Sequence, residues 1–289
     1  MLKHLIKNMR VRQWHKNGFV FFALIFDKQL FHRDAFLITL EGFFMFCLIS
    51  SSVYLFNDIA DIEADRQHPE KKKRPLASGA LPVSVAIIAA VVLALTAIVV
   101  GYLLAPLFAV IVSFYLVANL LYSRWLKHVP ILDVMIISSG FVLRVAAGVA
   151  LITVERFSPW LYVITTLFSL FMGFGKRRAE ISLLEQGAGT HRKVLDGYSI
   201  PLLDQYITIV SGMTIVTYSL YTFFAENMPV NHTMMLTIPF VVYGILRYLQ
   251  LIQTGHAAGS PDEVALTDRS LQITVLLWGL TVVAVFYLS

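Results

Sequence analysis

Charge is scarce in this chain. Only 14% of its 289 residues are Asp, Glu, Lys or Arg, against roughly 25% in an ordinary soluble domain. So little polar surface excludes a water-soluble globular enzyme, a disordered chain and a solitary nucleic-acid-binding module. Cysteine is nearly absent too. The lone Cys47 sits inside an apolar run, so no intramolecular disulfide forms and no metal centre rests on thiolates. Alternating apolar and polar segments of the ~10-residue kind that build a transmembrane barrel are missing. After the first apolar stretch (18–26, GFVFFALIF), Asp27-Lys28 stands where a signal peptidase would need small residues, so that stretch is expected to be retained.

What is present is apolar length. Hydrophobic residues make up 57% of the chain, with mean hydropathy +0.72. They gather into segments at about 18–31, 35–56, 82–102, 104–121, 131–153, 158–175, 203–225, 233–252 and 270–288. Runs near 20 residues match ~30 Å of hydrocarbon at 1.5 Å per residue, and only helices bury all their own backbone polar groups in lipid. The expectation is an all-α, polytopic bundle of nine transmembrane helices forming one membrane domain over 1–289. With the N-terminus placed in the cytoplasm, nineteen Lys and Arg fall on the inner side and three on the outer. This positive-inside bias puts the C-terminus outside and the polar connections 57–81, 176–202 and 253–269 in the cytoplasm. Ahead of the first segment, Leu2, Leu5, Ile6 and Met9 recur at helical spacing beside Lys3, Lys7 and Arg10. Residues 1–17 therefore read as an interfacial amphipathic helix.

Chemistry concentrates where the second segment ends, at Asn57-Asp58-Ile-Ala-Asp61-Ile-Glu-Ala-Asp65-Arg66. On one continuous helix Asp58, Asp61 and Asp65 fall within about 60° of each other, Asn57 borders that face and Glu63 points away. Three like charges on one face repel unless a cation sits among them. Hard oxygen donors of this number suit Mg²⁺ shared with substrate phosphates. Lys71, Lys72, Lys73 and Arg74 follow at once, and an acidic cradle beside a basic cluster can hold a diphosphate and stabilise its leaving charge.

This motif, with its basic loop ending Arg74-Pro75-Leu76, resembles the first aspartate-rich motif of the UbiA family of membrane prenyltransferases. The likeness spans essentially the whole chain. It implies that Asn57, Asp58, Asp61 and Asp65 bind Mg²⁺ and the donor diphosphate. The family's second aspartate-rich motif is replaced here by Gly175-Lys176-Arg177-Arg178-Ala179-Glu180. Cations there suit an extra phosphate, which Arg grips bidentately; they also read as a positive-inside anchor, with Glu180 a helical partner of Lys176. Together with Arg10-x-x-Gln13-Trp14-x-Lys16-Asn17 and with Asp133 and Gly140-Phe-Val-Leu-Arg144, the basic motif resembles the phosphoribosyl branch of the family. Val11 departs from the proline expected there.

The branch implies transfer of 5-phosphoribose from 5-phosphoribosyl 1-diphosphate to a polyprenyl (decaprenyl-type) phosphate, releasing pyrophosphate, for a lipid-linked pentose donor used in cell-envelope polysaccharide. In that reading Asp58, Asp61, Lys73 and Arg74 are catalytic. Gln13, Lys16, Tyr122, Arg124, Lys127, Arg144, Lys176, Arg177, Arg178 and Glu180 bind substrate, and the resemblance points to a homo-oligomer. Tyr122-Ser-Arg124-Trp-Leu-Lys127 reads equally as an interfacial belt. Arg144, inside a span, is a functional candidate, and its pairing with Asp133 three turns away is not expected. His191 and His256 lie in loops without ligand partners and read as solvated, and Gly187–Gly189 and Gly255–Gly259 lack the strand context of a nucleotide loop and read as flexible lids or plain linkers. The competing function keeps the fold but moves a prenyl group to an aromatic or quinone-precursor acceptor. A lipid-phosphate carrier would need polar groups on both faces, and the Asp-Gly-x-x-Ala-Arg pattern of CDP-alcohol phosphotransferases is absent: Asp196-Gly197 continues Tyr-Ser-Ile-Pro.

Overall fold

The computed structural model describes residues 1–68, 71–154, 159–185, 193–225, 228, 229, 231–254, 264 and 267–288. His191, His256 and both glycine pairs lie outside them. Among the described residues the ordered elements are all helical. They are α1 (Leu2–Asn8), a 3-10 segment (Val11–Phe21), α2 (Phe22–Phe26), α3 (Arg33–Ala60), α4 (Ile62–Gln67), α5 (Val83–Leu104) and α6 (Pro106–Arg124), followed by α7 (Leu132–Leu151), α8 (Pro159–Glu185), α9 (Ile200–Phe224), α10 (Ile238–Gln253) and α11 (Arg269–Leu288). Short 3-10 turns occupy Lys71–Lys73, Leu126–His128, Lys193–Gly197 and Thr233–Thr237.

Seven stretches are long and apolar enough to cross a membrane: α3, α5, α6, α7, α9, Thr233–Gln253 and α11. The chain is an integral membrane protein. Of the nine expected spans, the one at 158–175 forms the 27-residue α8, which is not among the seven: every 18-residue stretch of it takes in the charged Lys176. The one at 18–31 is not a continuous helix. It starts inside the 3-10 segment and is α-helical only over Phe22–Phe26.

The chain divides into two compact units, Met1–Lys127 with Gly140–Glu155, and His128–Ser139 with Arg156–Ser289. In the first, α3 packs on α5 through small residues. Ser52 is buried on α3, and Ala86, Ala90, Ala94, Ala97 and Gly101 form one buried stripe on α5. The backbones come close enough for Ser52 Oγ to donate to the Ala90 carbonyl at 2.7 Å, the small-residue packing that membrane helices use where lipid is as apolar as leucine. The opposite face of α5 leaves Ile88, Val92, Leu95, Val99 and Leu103 exposed, a surface that needs lipid. The helix expected over 1–17 ends at Asn8, where the chain turns at a left-handed Arg10 and continues as the 3-10 segment; Leu5, and Met9 just after α1, pack toward Leu55, Ile62 and Leu76, while Leu2 and Ile6 remain exposed.

In the second unit α8, α9, α10 and α11 enclose a core around Phe171, Phe174, Leu203, Ile207, Ile245 and Tyr248. Trp278 Nε1 donates to the Tyr218 hydroxyl (2.8 Å), which pairs with Thr237 Oγ1 at 2.6 Å. Asp268 accepts from the Leu271 amide at the start of α11 and takes a 2.8 Å ion pair from Arg247. That guanidinium holds the Asp268 carboxyl below the usual range.

Candidate functional site

The acidic motif lies where α3 gives way to α4. The helical ladder continues through the junction, with the Asp61 amide bonded to the Asn57 carbonyl (3.0 Å) and the Asp65 amide to that of Asp61 (2.8 Å). Asp61 itself departs from helical geometry, at φ −99° and ψ 7°. The three carboxylates therefore do not share one environment. Asp58 and Asp65 are both buried at 3% exposure, and Arg74 Nη1 bridges them at 3.0 and 2.7 Å. Asp61 remains partly exposed and pairs with Lys127 Nζ at 2.9 Å. Glu63 points away, as expected, to Arg66 at 2.7 Å.

The N-terminal arm supplies what sequence reasoning missed. Arg10 Nη2 donates to Asp58 Oδ1 at 2.6 Å and its guanidinium lies 4.8 Å over the Tyr54 ring. Asn8 Nδ2 donates to Asp58 Oδ2 at 3.1 Å. The arm turns at Arg10, whose φ of 52° is left-handed, a strained conformation that persists only where its surroundings fix it. The signal was legible only as an Arg at the head of a motif; nothing in the spacing says that it reaches Asp58. Lys7, Asn8, Arg10, Asp58, Lys73, Arg74 and Pro75 line a recess of about 290 Å³. Four cations there face one buried carboxylate, an excess of positive charge suited to an anion.

Two acceptors close by are unsatisfied: Asn8 Oδ1 and Asn57 Oδ1 are buried without a hydrogen-bond partner. Such oxygens are costly unless a donor or a cation meets them. Among the described residues no three His, Cys, Asp or Glu converge as a ligand group. The donors at hand are instead two carboxylates, Asp58 and Asp65, and two orphan amide oxygens. All are hard oxygens, and they fit Mg²⁺ held jointly with phosphate better than an all-protein cage.

Further along α3 a line of polar contacts fastens the 3-10 segment. Trp14 Nε1 reaches Ser51 Oγ (3.0 Å), Tyr54 OH reaches Gln13 Oε1 (2.8 Å), and Asn17 Nδ2 reaches Ser50 Oγ (3.1 Å) and Cys47 Sγ (3.2 Å). Arg144, 5% exposed, donates from Nε to Asn17 Oδ1 (2.8 Å) and from Nη2 to Tyr115 OH (3.1 Å). Its charge lies 5.1–5.3 Å from the rings of Phe46, Tyr115 and Phe141, a cation–π enclosure. It does not pair with Asp133. Lys16 and Tyr122 are half-buried, and Arg124 is exposed at the end of α6.

The basic motif lies in the second unit, on α8. Arg177 is 1% exposed. Its Nε donates to Asp133 Oδ2 at 2.6 Å and its Nη1 to Glu180 Oε2 at 2.5 Å. Tyr198 OH donates to Asp133 Oδ1 (2.6 Å) and accepts from the Ile131 amide (2.6 Å). Burial, then the hydrogen bond to Asp133, push the Tyr198 phenol well up, so it stays a donor at neutral pH. Ile131 is held at φ 69°, unusual for a β-branched residue. Arg178 forms an ion pair with Asp204 at 2.5 Å. Lys176 is half-buried. Glu180 thus serves Arg177 at i+3.

Residues 18–260 match the UbiA prenyltransferase family. Over its full length the chain is 36% identical to a decaprenyl-phosphate phosphoribosyltransferase of Mycolicibacterium smegmatis, covering 94% of that protein. A protein of the same name from Corynebacterium glutamicum is 35% identical, over 98% of this chain and 87% of its own. In fold the chain resembles a UbiA homologue from Archaeoglobus fulgidus solved with DMAPP and Mg²⁺, at TM-score 0.74 and 15% identity, covering 99% of both.

Proposed function

The chain belongs to the UbiA prenyltransferase family, and from that premise we propose that it transfers 5-phosphoribose from 5-phosphoribosyl 1-diphosphate to a polyprenyl phosphate. The bond from the anomeric carbon to pyrophosphate breaks, and a bond from that carbon to an oxygen of the lipid phosphate forms. The observation that carries this reading is the recess at Asp58, lined by Lys7, Asn8, Arg10, Lys73, Arg74 and Pro75: its four cations suit the diphosphate of such a donor. The full-length likeness to phosphoribosyltransferases supports the same donor.

Asp58 and Asp65, with Asn57 and the neighbouring Asp61, are the residues that would hold Mg²⁺. The metal supplies charge neutralisation at the diphosphate when bound. Lys73 and Arg74 stabilise the leaving pyrophosphate. Lys176 and Arg178, with Tyr122, Arg124, Lys127 and Lys16, are the cations and donors proposed for the 5-phosphate and the lipid phosphate. Arg177, Glu180, Gln13 and Arg144, engaged with protein partners, set the positions of their neighbours. The acceptor oxygen is already anionic, so no general base is required. The charge distribution along the chain supports a cytoplasmic site, and the product is a lipid-linked pentose for envelope polysaccharide. The test is purified protein in detergent with both substrates and Mg²⁺, the lipid product read by mass spectrometry. A phosphoribosylated lipid that disappears with EDTA is expected. Prenyl transfer to an aromatic acid, with no ribosyl product, would overturn the assignment.

A further inference from the structure

We infer that the N-terminal arm is part of the donor site, with Arg10 binding the diphosphate and Asn8 reading a hydroxyl of the sugar. The inference rests on the donor proposed above and goes beyond it in assigning residues outside the aspartate-rich and basic motifs. It stands first on placement. Asn8 and Arg10 are fastened to Asp58 and line the same recess as Lys73 and Arg74. The turn that brings them there is held in left-handed geometry at Arg10, and the Met9 carbonyl just before it accepts from Ser51 Oγ at 3.1 Å. The arm is thus fixed to α3 at its bend.

It stands second on an unmet hydrogen bond. Asn8 is 2% exposed; its amide nitrogen is engaged by Asp58, yet its Oδ1 has no partner. An amide oxygen only accepts. Unprotonated phosphate oxygens only accept as well, so without a cation between them neither pyrophosphate nor a prenyl diphosphate can satisfy it. The ribose of a phosphoribosyl diphosphate carries hydroxyl donors and can. A site built to bond a substrate hydroxyl discriminates strongly against analogues that lack it, because its own polar group is then left unpaired. Asn8 would therefore set preference for a sugar donor over a prenyl donor, while Arg10, always charged and stacked on Tyr54, serves the diphosphate common to both.

The two roles separate in a binding experiment without acceptor lipid, in which no turnover occurs. Calorimetric titration of the purified full chain in detergent with Mg²⁺ uses two probes, inorganic pyrophosphate and phosphoribosyl diphosphate. Arg10→Gln is expected to weaken both, by on the order of ten- to a hundred-fold for a charge-assisted bond. Asn8→Ala is expected to weaken phosphoribosyl diphosphate by about three- to ten-fold more than pyrophosphate, and Asn8→Ser, which keeps an oxygen, to recover part of that loss. Arg10→Gln binding both probes like the parent would overturn the inference for the arm. Equal loss of both probes in Asn8→Ala would overturn the hydroxyl assignment and place that oxygen with the metal or with Asp58. If Asn8→Ala elutes as aggregate, Asn8→Ser carries the same comparison: a smaller loss confined to phosphoribosyl diphosphate is expected, and equal changes for both probes, or none, refute the hydroxyl assignment. A parent protein that binds pyrophosphate but neither binds nor turns over phosphoribosyl diphosphate would sink the donor reading instead, leaving the Arg10 result to stand on pyrophosphate.

Discussion

Replacing Asp133 by alanine tests whether Arg177 is a buried clamp or a substrate cation. Asp133 is 0% and Arg177 1% exposed, and the carboxylate takes bonds from Arg177 Nε and the Tyr198 hydroxyl, both at 2.6 Å. Its loss leaves the guanidinium with Glu180, at 2.5 Å, as the carboxylate bonded to it, and leaves the Tyr198 hydroxyl without its acceptor. Breaking a buried pair by removing one partner costs about 3–5 kcal/mol, and a stranded hydroxyl about 1–3 kcal/mol. These overlap, so about 4 kcal/mol in total is expected. At roughly 2–4 °C per kcal/mol for chains of this order, the thermal midpoint in detergent should fall by about 8–16 °C. Near-ultraviolet circular dichroism follows it without needing substrate. The paired replacement Asp133→Leu with Arg177→Met removes both charges together and should recover most of that loss, since apolar substitutes for a buried pair are often neutral. The decisive comparison is Arg177→Met alone. If it leaves the midpoint within about 2 °C of the parent, well inside the shift just derived, and weakens phosphoribosyl diphosphate binding, Arg177 faces substrate and the clamp is wrong.

Two further outcomes follow from the first unit. Asp58→Asn keeps an accepting oxygen but removes the negative charge that Arg10 and Arg74 both meet, and should lower turnover by at least about a hundred-fold, the scale seen when a charge-stabilising group is lost. Parent-like lipid product by mass spectrometry would refute its role. Gly148→Ala tests a close approach, because a Cβ there would meet the Val20 carbonyl oxygen at 2.0 Å. Overpacking of that kind costs about 1–3 kcal/mol, so its midpoint should fall by several degrees; an unchanged midpoint would mean that the 3-10 segment moves freely away from α7.

Membrane character and the positions of eight of the apolar segments were readable from hydropathy and spacing, because those depend on local composition. The partners of the charges were not. Asp58, Asp61 and Asp65 share one face of an ideal helix, yet a departure at Asp61 sends that carboxylate to Lys127, 66 positions away, while Arg74 keeps the other two. Arg177 read as one cation of three. Only the fold shows that it meets Asp133, 44 positions earlier in the chain. Asn8 carried no signal at all, because an asparagine in an amphipathic helix is ordinary until its side chain is seen bonded to Asp58. Pairings between distant parts of a chain are set by packing, and periodicity reports only which face a residue occupies.

The segment at 18–31 shows why hydropathy alone fails even at the level of elements. Its neighbour Val11–Phe21 runs as a 3-10 helix for 11 residues, although such runs seldom exceed 3–4 residues. At 3.0 residues per turn, side chains three apart eclipse one another, so Trp14, Asn17 and Val20 line a single edge. Each of them is used. Trp14 bonds Ser51, Asn17 bonds Ser50, Cys47 and Arg144, and Val20 is fully buried, its carbonyl pressed against Gly148. In an α-helix the same three side chains would drift by about 60° at each step and could not all face α3. The poorer backbone geometry is offset by polar side-chain bonds made in a buried setting, where leaving those groups unpaired would cost more. Arg144, inside α7, is therefore tied to the conformation of the N-terminal segment through Asn17. That same segment follows directly on Arg10 and Asn8 at the recess, so the buried cation and the proposed donor site are linked through one continuous stretch of chain.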